Sequence, residues 1–378
     1  MATKMISSDS HLIEHPTLWE ERMPKEFVAR GPRVMRDDQG KDWWYVDGRR
    51  TMSFLGIQAG RRFEGDPSKL VTAATFEDVR PGAYDPQLFV KESQEDGVAG
   101  SVIYPTEGLV LFSVPDSALC SACMRAYNDY IAEFCGADPQ RLKGIAMINV
   151  DDPAEGAAEL TRCRQMGLVG GLMTVMPPAW LPYEDHAYDV LWATASDLEM
   201  PLSLHTATNR ADPRTGAGGV PEDVQQVPPS VFVLQDTMVR RSLADMIFSG
   251  VFERHPRLRV GTVEHELAWI PHFLQQMDYT YTDRPARGDW HRYRDPAARP
   301  SDFFHSNVFC SFQEDAIGIR ERDVIGVHTM MWGSDYPHTE TTFPRSKEIT
   351  AEILQGVPEA EQEMIVYSNA KRLYGFEV

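Results

Sequence analysis

Short apolar runs recur along the chain, and each is followed by a stretch whose apolar positions return at helical spacing. The runs Val98–Tyr104, Leu142–Val150, Val169–Val175, Pro201–His205, Leu258–Val263, Asn307–Phe312 and Thr329–Gly333 predict strands. The stretches Asp85–Asp96, Ser117–Cys135, Pro153–Met166, His186–Glu199, Ser230–Ser249, His265–Tyr281 and Asp315–Asp323 predict helices. The chain reads as helical again from about Pro344 to Tyr374. Asp116 or Ser117 caps one helix, and Asp151-Asp152 lead into another, where carboxylates suit the positive end of the helix dipole. The chain opens on Met5-Ile6-Ser7-Ser8-Asp9-Ser10-His11, read as a buried strand.

With the opening strand there are about eight strand-then-helix units. Apolar strands separated by helices imply a parallel sheet with helices outside it. At 378 residues without a break in composition, the natural closed form is a single (β/α)8 TIM barrel over residues 1–378. An open, doubly wound sheet is the alternative. Two segments break the rhythm. Residues 15–81 carry Pro16, Pro24, Pro32 and Pro67 and the cluster Trp43-Trp44-Tyr45, with a hairpin expected around Asp47-Gly48. This insertion after the first strand is too long for an ordinary connection and reads as a lid or an arm. Residues 206–229 form a second irregular stretch, rich in Gly and Pro, that includes Gly216-Ala217-Gly218-Gly219.

Composition narrows the partners. The net charge of −19 argues against nucleic acid and anionic membrane, which both call for a basic surface. No apolar run is long enough to span a bilayer, and no secretory leader is read at the N-terminus. The five cysteines are scattered, as expected of buried thiols in a reducing, cytoplasmic setting. Cys120 and Cys123 form a C-x-x-C with no second pair to complete a zinc site, so packing on consecutive helical turns is the preferred reading.

The chemistry gathers at strand ends. Asp9 and His11 lie two residues apart on a strand and therefore share a face. His205 ends a middle strand and Asp335 follows the last one. In a TIM barrel the mouths of the strands carry the active site, and only closure brings the first and last of these ends together. Two imidazoles and two carboxylates suit one divalent ion, with zinc, iron, manganese and cobalt all compatible. Such an ion polarises a carbonyl and lowers the pKa of bound water to about 7. His265 sits just past another strand end, with Glu264 before it, and Glu14 lies shortly after His11. These three are candidates for further ligands or supports. Taken singly, His205 could be a core histidine, Asp335 a turn cap and His265 a helix start. Four such groups at equivalent ends favour the metal. His15, His186 and His338 read as loop histidines.

The chain resembles the amidohydrolase-related metalloenzymes, the group that includes aminocarboxymuconate-semialdehyde decarboxylase and γ-resorcylate decarboxylase. The resemblance is carried by Asp9-Ser10-His11, Leu204-His205, Val263–Pro271, Trp332-Gly333-Ser334-Asp335-Tyr336-Pro337-His338 and the closing Asn369–Gly375. It implies a distorted (β/α)8 barrel, often a homodimer, with one metal held by Asp9, His11, His205 and Asp335 and with His265 as acid/base. The chain departs from the pattern in having Asp9 where many members have His, and Glu266-Leu267-Ala268 where small decarboxylases have a Gly-rich turn. The expected activity is a metal-dependent hydrolase or decarboxylase of a small carboxylated or carbonyl compound, with His265 and Asp335 catalytic. A di-iron oxygenase, using Glu14, Glu264 and His265 to hold a second ion, is the alternative. A non-catalytic metal-binding barrel is a further one. Trp332 among several aromatics, and Arg210 as an anion-binding group, are the expected substrate contacts.

Overall fold

The computed structural model describes residues 4–54, 58–66, 70–71, 73–212, 214, 228–288 and 290–378. Pro67 and the glycine-rich Gly216-Ala217-Gly218-Gly219 lie outside the described residues. In chain order the strands are β1 (Met5–His11), β2 (Arg33–Arg36), β3 (Asp42–Val46), β4 (Arg49–Arg50), β5 (Val98–Tyr104), β6 (Leu142–Met147), β7 (Gly170–Met173), β8 (Leu202–His205), β9 (Val260–Val263), β10 (Val308–Phe312) and β11 (Met330–Trp332). Eight of them pair in parallel in the order β1-β5-β6-β7-β8-β9-β10-β11. Apolar strands interleaved with helices thus give the expected barrel.

The seam between β1 and β11 is what brings the ends of the chain together. Past the last strand, Asp335 N–H donates to Asp9 O at 2.9 Å, and His11 N–H donates to Tyr336 O at 2.6 Å. Hydroxyls stitch the rest. Ser8 Oγ donates to Trp332 O at 3.0 Å, and Ser334 N–H donates to Ser7 Oγ at 2.8 Å. All of β1 is buried, so these serines need partners inside the wall, and the last strand supplies them. Gly333 is required here, because a Cβ on it would fall 2.6 Å from Asp9 Cβ.

Helix starts follow the polar caps. Asp116 accepts the N–H groups of Ala118 and Leu119 at the head of Ser117–Gly136, and Asp152 does the same for Pro153–Gln165. The stretch read as helical from Pro344 is broken once, into Ser346–Ile353 and a helix that runs from Glu359 to Tyr374 through a π turn at Met364–Ser368, with Gly356 at φ +81° and Pro358 in the gap. Cys120 and Cys123 are buried free thiols on one helix, and the other three cysteines are also buried and free.

Residues 15–81 add a three-stranded antiparallel sheet, β2-β3-β4, where the sequence suggested a two-stranded hairpin. Asp47 and Gly48 take φ +50° and +76°, as a tight hairpin turn requires. The insertion packs on its own barrel. Trp19 and Trp44 meet edge to face at 5.2 Å and are buried with Phe54. Trp19 Nε1 donates to Cys123 O at 3.0 Å, and Thr51 Oγ1 donates to Glu107 Oε1 at 2.7 Å in the loop after β5. Arg62 donates to Glu340 O and to the Glu314 carboxylate, in the loops after β11 and β10. The insertion therefore lies on the side where the strands end.

Candidate metal centre

Each candidate ligand reaches the mouth because its strand stops there. Asp9 and His11 end β1, His205 ends β8, Glu264 follows β9, and Asp335 follows β11. One ligand-type atom from each of Asp9, His11, His205 and Glu264 lies within 4.8 Å of the others, and His11, Asp335 and His338 form an overlapping group on the same criterion. His11 Nε2 is 3.4 Å from Asp9 Oδ1 and 3.3 Å from Asp335 Oδ1. His205 Nε2 is 3.6 Å from Asp9 Oδ1 and 3.4 Å from Glu264 Oε2.

The tautomers are set from outside. His11 Nδ1 lies 2.7 Å from Pro105 O, and His205 Nδ1 lies 3.0 Å from Thr206 O. A carbonyl can only accept, so each Nδ1 carries a proton and each Nε2 is the nitrogen that faces the cluster, where its lone pair could bind a cation. Both oxygens of Asp9, Nε2 of His11, Nε2 of His205 and Oδ2 of Asp335 are buried and make no hydrogen bond. Buried polar atoms are ordinarily paired. Five orphaned ligand-type atoms from three separate strand ends fit a divalent cation, which would pair them at once.

The electrostatics agree. Burial raises the Asp9 carboxyl, but the imidazoles of His11 and His205 beside it outweigh burial and hold Asp9 below the ordinary carboxylate range. Burial lowers His205, yet Asp9 and Glu264 lift it to about 9. Asp335 goes the other way, because burial and the Glu264 charge push it well above an ordinary carboxyl. The two buried carboxyls, Asp9 and Asp335, are thus driven in opposite directions, and a cation between them would favour the ionised form of both.

Backbone strain collects here too. Ala207, Glu264, Glu266 and Asp335 all adopt φ between +52° and +60°. For residues other than glycine this costs of order 1 kcal/mol each, and such strain is typical of functional sites. It also corrects the helix read from His265 onward. With Glu264 and Glu266 left-handed, and with Leu267 N–H and Ala268 N–H held by Asp315 at 2.8 Å and 2.6 Å, the helix starts only at Ile270. Pro271 then falls in its first turn, where no N–H is missed. His265 is left in the loop, buried, with neither ring nitrogen hydrogen-bonded, and burial beside His205 depresses its pKa to about 3.

His338, read from sequence as a loop histidine, joins the cluster. Its ring stacks on His11 at 3.9 Å, Nδ1 lies 2.9 Å from Asp335 Oδ1, and Nε2 is 2.9 Å from Thr106 Oγ1. The signal was its spacing from Asp335 across Tyr336-Pro337, since His338 N–H closes a turn onto Asp335 O at 2.9 Å. His15 and His186 are exposed, as expected, and pair with Thr17 and Asp189.

Two candidates have other tasks. Glu14 does not point its oxygens at the cluster; they accept N–H bonds from Thr106, Glu107 and Gly108 at 3.1, 2.9 and 2.9 Å. It steadies the loop whose Pro105 carbonyl fixes His11. Arg210, expected to bind a substrate anion, is occupied by the protein. It bonds the Asp151 carboxylate at 2.5 Å through Nη2 and the carbonyls of Phe112 and Val114 through Nη1. Both side chains of that pair are buried. Arg210→Met is therefore expected to cost about 3–5 kcal/mol of stability by stranding Asp151. A denaturant midpoint unchanged from wild type, with a raised KM, would return Arg210 to the substrate. Trp332 is fully buried in β11, and its indole N–H has no partner among the described residues.

A sequence model described as amidohydrolase matches residues 115–376. The decarboxylase orsB of Emericella nidulans is 31% identical over 189 residues, which span 47% of this chain and 56% of that protein. The γ-resorcylate decarboxylase of Polaromonas sp. is 24% identical over 69% of this chain and 79% of its own. Among solved structures, an amidohydrolase of Mycobacterium avium subsp. paratuberculosis superposes with a TM-score of 0.80 at 20% identity, over 99% of this chain and 100% of that one. A dihydroxybenzoic acid decarboxylase of Polaromonas sp. JS666, solved with manganese and 2-nitroresorcinol, gives 0.63 at 17% identity, over 100% and 98%. At these identities the superpositions establish the fold.

Proposed function

Because the chain belongs to the amidohydrolase family, we propose that it is a metal-dependent lyase that decarboxylates a small carboxylated compound. The observation that carries the reading is the set of buried, unpartnered oxygens and imidazole nitrogens converging at the barrel mouth. Decarboxylase names among the relatives support carbon–carbon cleavage over hydrolysis. Asp9, His11, His205 and Asp335 would hold the cation, with Glu264 at its edge. The two overlapping groups share His11, which has a single nitrogen free, so one ion is expected. This weighs against the di-iron oxygenase. Manganese, the ion in the Polaromonas neighbour, is the first to test, ahead of zinc and iron. A divalent ion there supplies a Lewis acid that steadies negative charge on a bound carboxylate and its neighbouring oxygen.

The chain's own groups handle the proton. The bond from the substrate carbon to its carboxylate breaks, the electron pair stays on carbon, and a proton replaces the carbon dioxide that leaves. Asp335 is assigned to deliver it, since its Oδ2 is buried in the cluster with no hydrogen-bond partner of its own. His265, held neutral by burial, has one N–H and one lone pair to orient a substrate oxygen and to return the proton to Asp335. The insertion, whose Thr51 and Arg62 bond to the loops after β5, β10 and β11, would cover the barrel mouth and limit access of water. The indole N–H of Trp332 is a donor for the substrate. Five free, buried thiols suit a reducing cytoplasm, and no helix of the described residues is long and apolar enough to cross a membrane.

The test is release of carbon dioxide from γ-resorcylate and related hydroxybenzoates by manganese-loaded protein. Metal-dependent release from at least one of them is expected. Hydrolysis of amides or lactones, with no release from any carboxylated compound, would move the assignment to a hydrolase.

A further inference from the structure

At the opposite end of the barrel the strands begin around a cavity of about 720 Å³. Its lining includes Lys143 near the start of β6, Arg259 just before β9, and Arg164, Arg257 and Arg372. This is a concentration of positive charge on a chain with 37 basic and 56 acidic residues. Elsewhere many basic side chains are neutralised by carboxylates, as Arg162 is by Glu159 and Asp129. Here Arg257 pairs with Asp197 at 2.6 Å. Lys143, Arg164, Arg259 and Arg372 make no ion pair within 4.0 Å among the described residues. Two other carboxylates are near, Glu199 in the lining and Glu377, whose charge acts on Lys143.

Helix ends explain part of this. Arg164 and Arg372 each occupy the last turn of a helix, where a cation suits the dipole. That reason does not reach Lys143 and Arg259, which stand half-buried at the strand starts. Arg259 donates Nη1–H to Ser306 O at 3.0 Å, but its Nε is buried with no partner. Burial and the neighbouring charge of Arg372 both disfavour its charged form. Burial disfavours the charged form of Lys143 as well, with Arg164 adding repulsion. The cluster costs free energy as it stands, and an anion among these side chains would relieve it.

We propose that this cavity is a second ligand site, separate from the metal centre, that takes a small phosphate-bearing anion. The guanidinium fork matches phosphate oxygens in pairs, and several cations around one cavity favour a multiply charged group. The volume falls in the range of small-molecule pockets, roughly 300–1,000 Å³.

The test is calorimetric titration of the metal-loaded protein with inorganic phosphate, at ionic strength held constant with chloride. Saturable binding is expected, weakened by roughly tenfold or more in the double variant Arg164→Gln/Arg372→Gln. Both of those side chains are exposed, so the variant should fold. Lys143→Met is expected to weaken binding in the same direction. Asp9→Ala should leave phosphate affinity unchanged. No saturable binding to wild type would overturn the proposal. So would an affinity that survives the double variant, or one that disappears with Asp9→Ala, since phosphate would then be at the barrel mouth.

Discussion

Asp9→Ala and His205→Ala should each lower turnover by about a thousandfold or more while the barrel stays folded. Several kilocalories per mole of charge stabilisation from a Lewis acid correspond to about that factor. Asp9 touches both histidines of the cluster, so losing it removes one ligand and unsettles two more. Circular dichroism should show the same fold, because the Asp9 side chain makes no hydrogen bond that holds the wall. Added metal should raise the melting temperature of wild type, since an ion that binds only the folded state stabilises it by about 2.7 kcal/mol at a hundredfold excess over Kd. The variants should lose that rise. Turnover within a few-fold of wild type in both would remove the site from the chemistry.

His265→Ala should lower kcat by about 10²–10⁴-fold, the usual span for a lost acid/base group. Metal content should not change, which separates this variant from the first pair. The argument rests on where the residue is held. Left-handed Glu264 and Glu266 flank it, Asp315 ties down the two N–H groups that follow Glu266, and Trp269 Nε1 donates to His265 O at 2.9 Å. A loop so fixed leaves both imidazole nitrogens free of the protein. A variant that loses metal along with turnover would make His265 a ligand instead. Full activity with full metal would make it a packing residue.

Much of this was legible in the sequence, for identifiable reasons. Strand parity put Asp9 and His11 on one face, and apolar runs ending at His205 and before Asp335 marked the other wall segments. Those signals are local, and the barrel converts them into proximity. What escaped depends on groups distant in the chain. Nothing near His338 says that its imidazole lies on His11, because the stacking depends on the seam between the first and last strands. Glu14 looked like a ligand from its distance to His11, but the loop after β5 brings it three N–H groups. Arg210 looked free because its partner Asp151 follows a different strand. The serines of β1 gave no apolar signal, yet their hydroxyls close the barrel, Ser8 pairing with the Ser311 hydroxyl and Ser7 accepting the Ser334 N–H. Backbone strain at Glu264 and Glu266 was also hidden, since glutamate is not a residue type that marks left-handed φ.

The most direct measurement is metal content per chain after the protein has been stripped, reloaded with manganese and freed of excess ion. Close to one ion bound by wild type, and essentially none by Asp9→Ala or His205→Ala, is the result expected of side chains gathered around a single cation. An empty wild-type protein, or full occupancy in both variants, would contradict it.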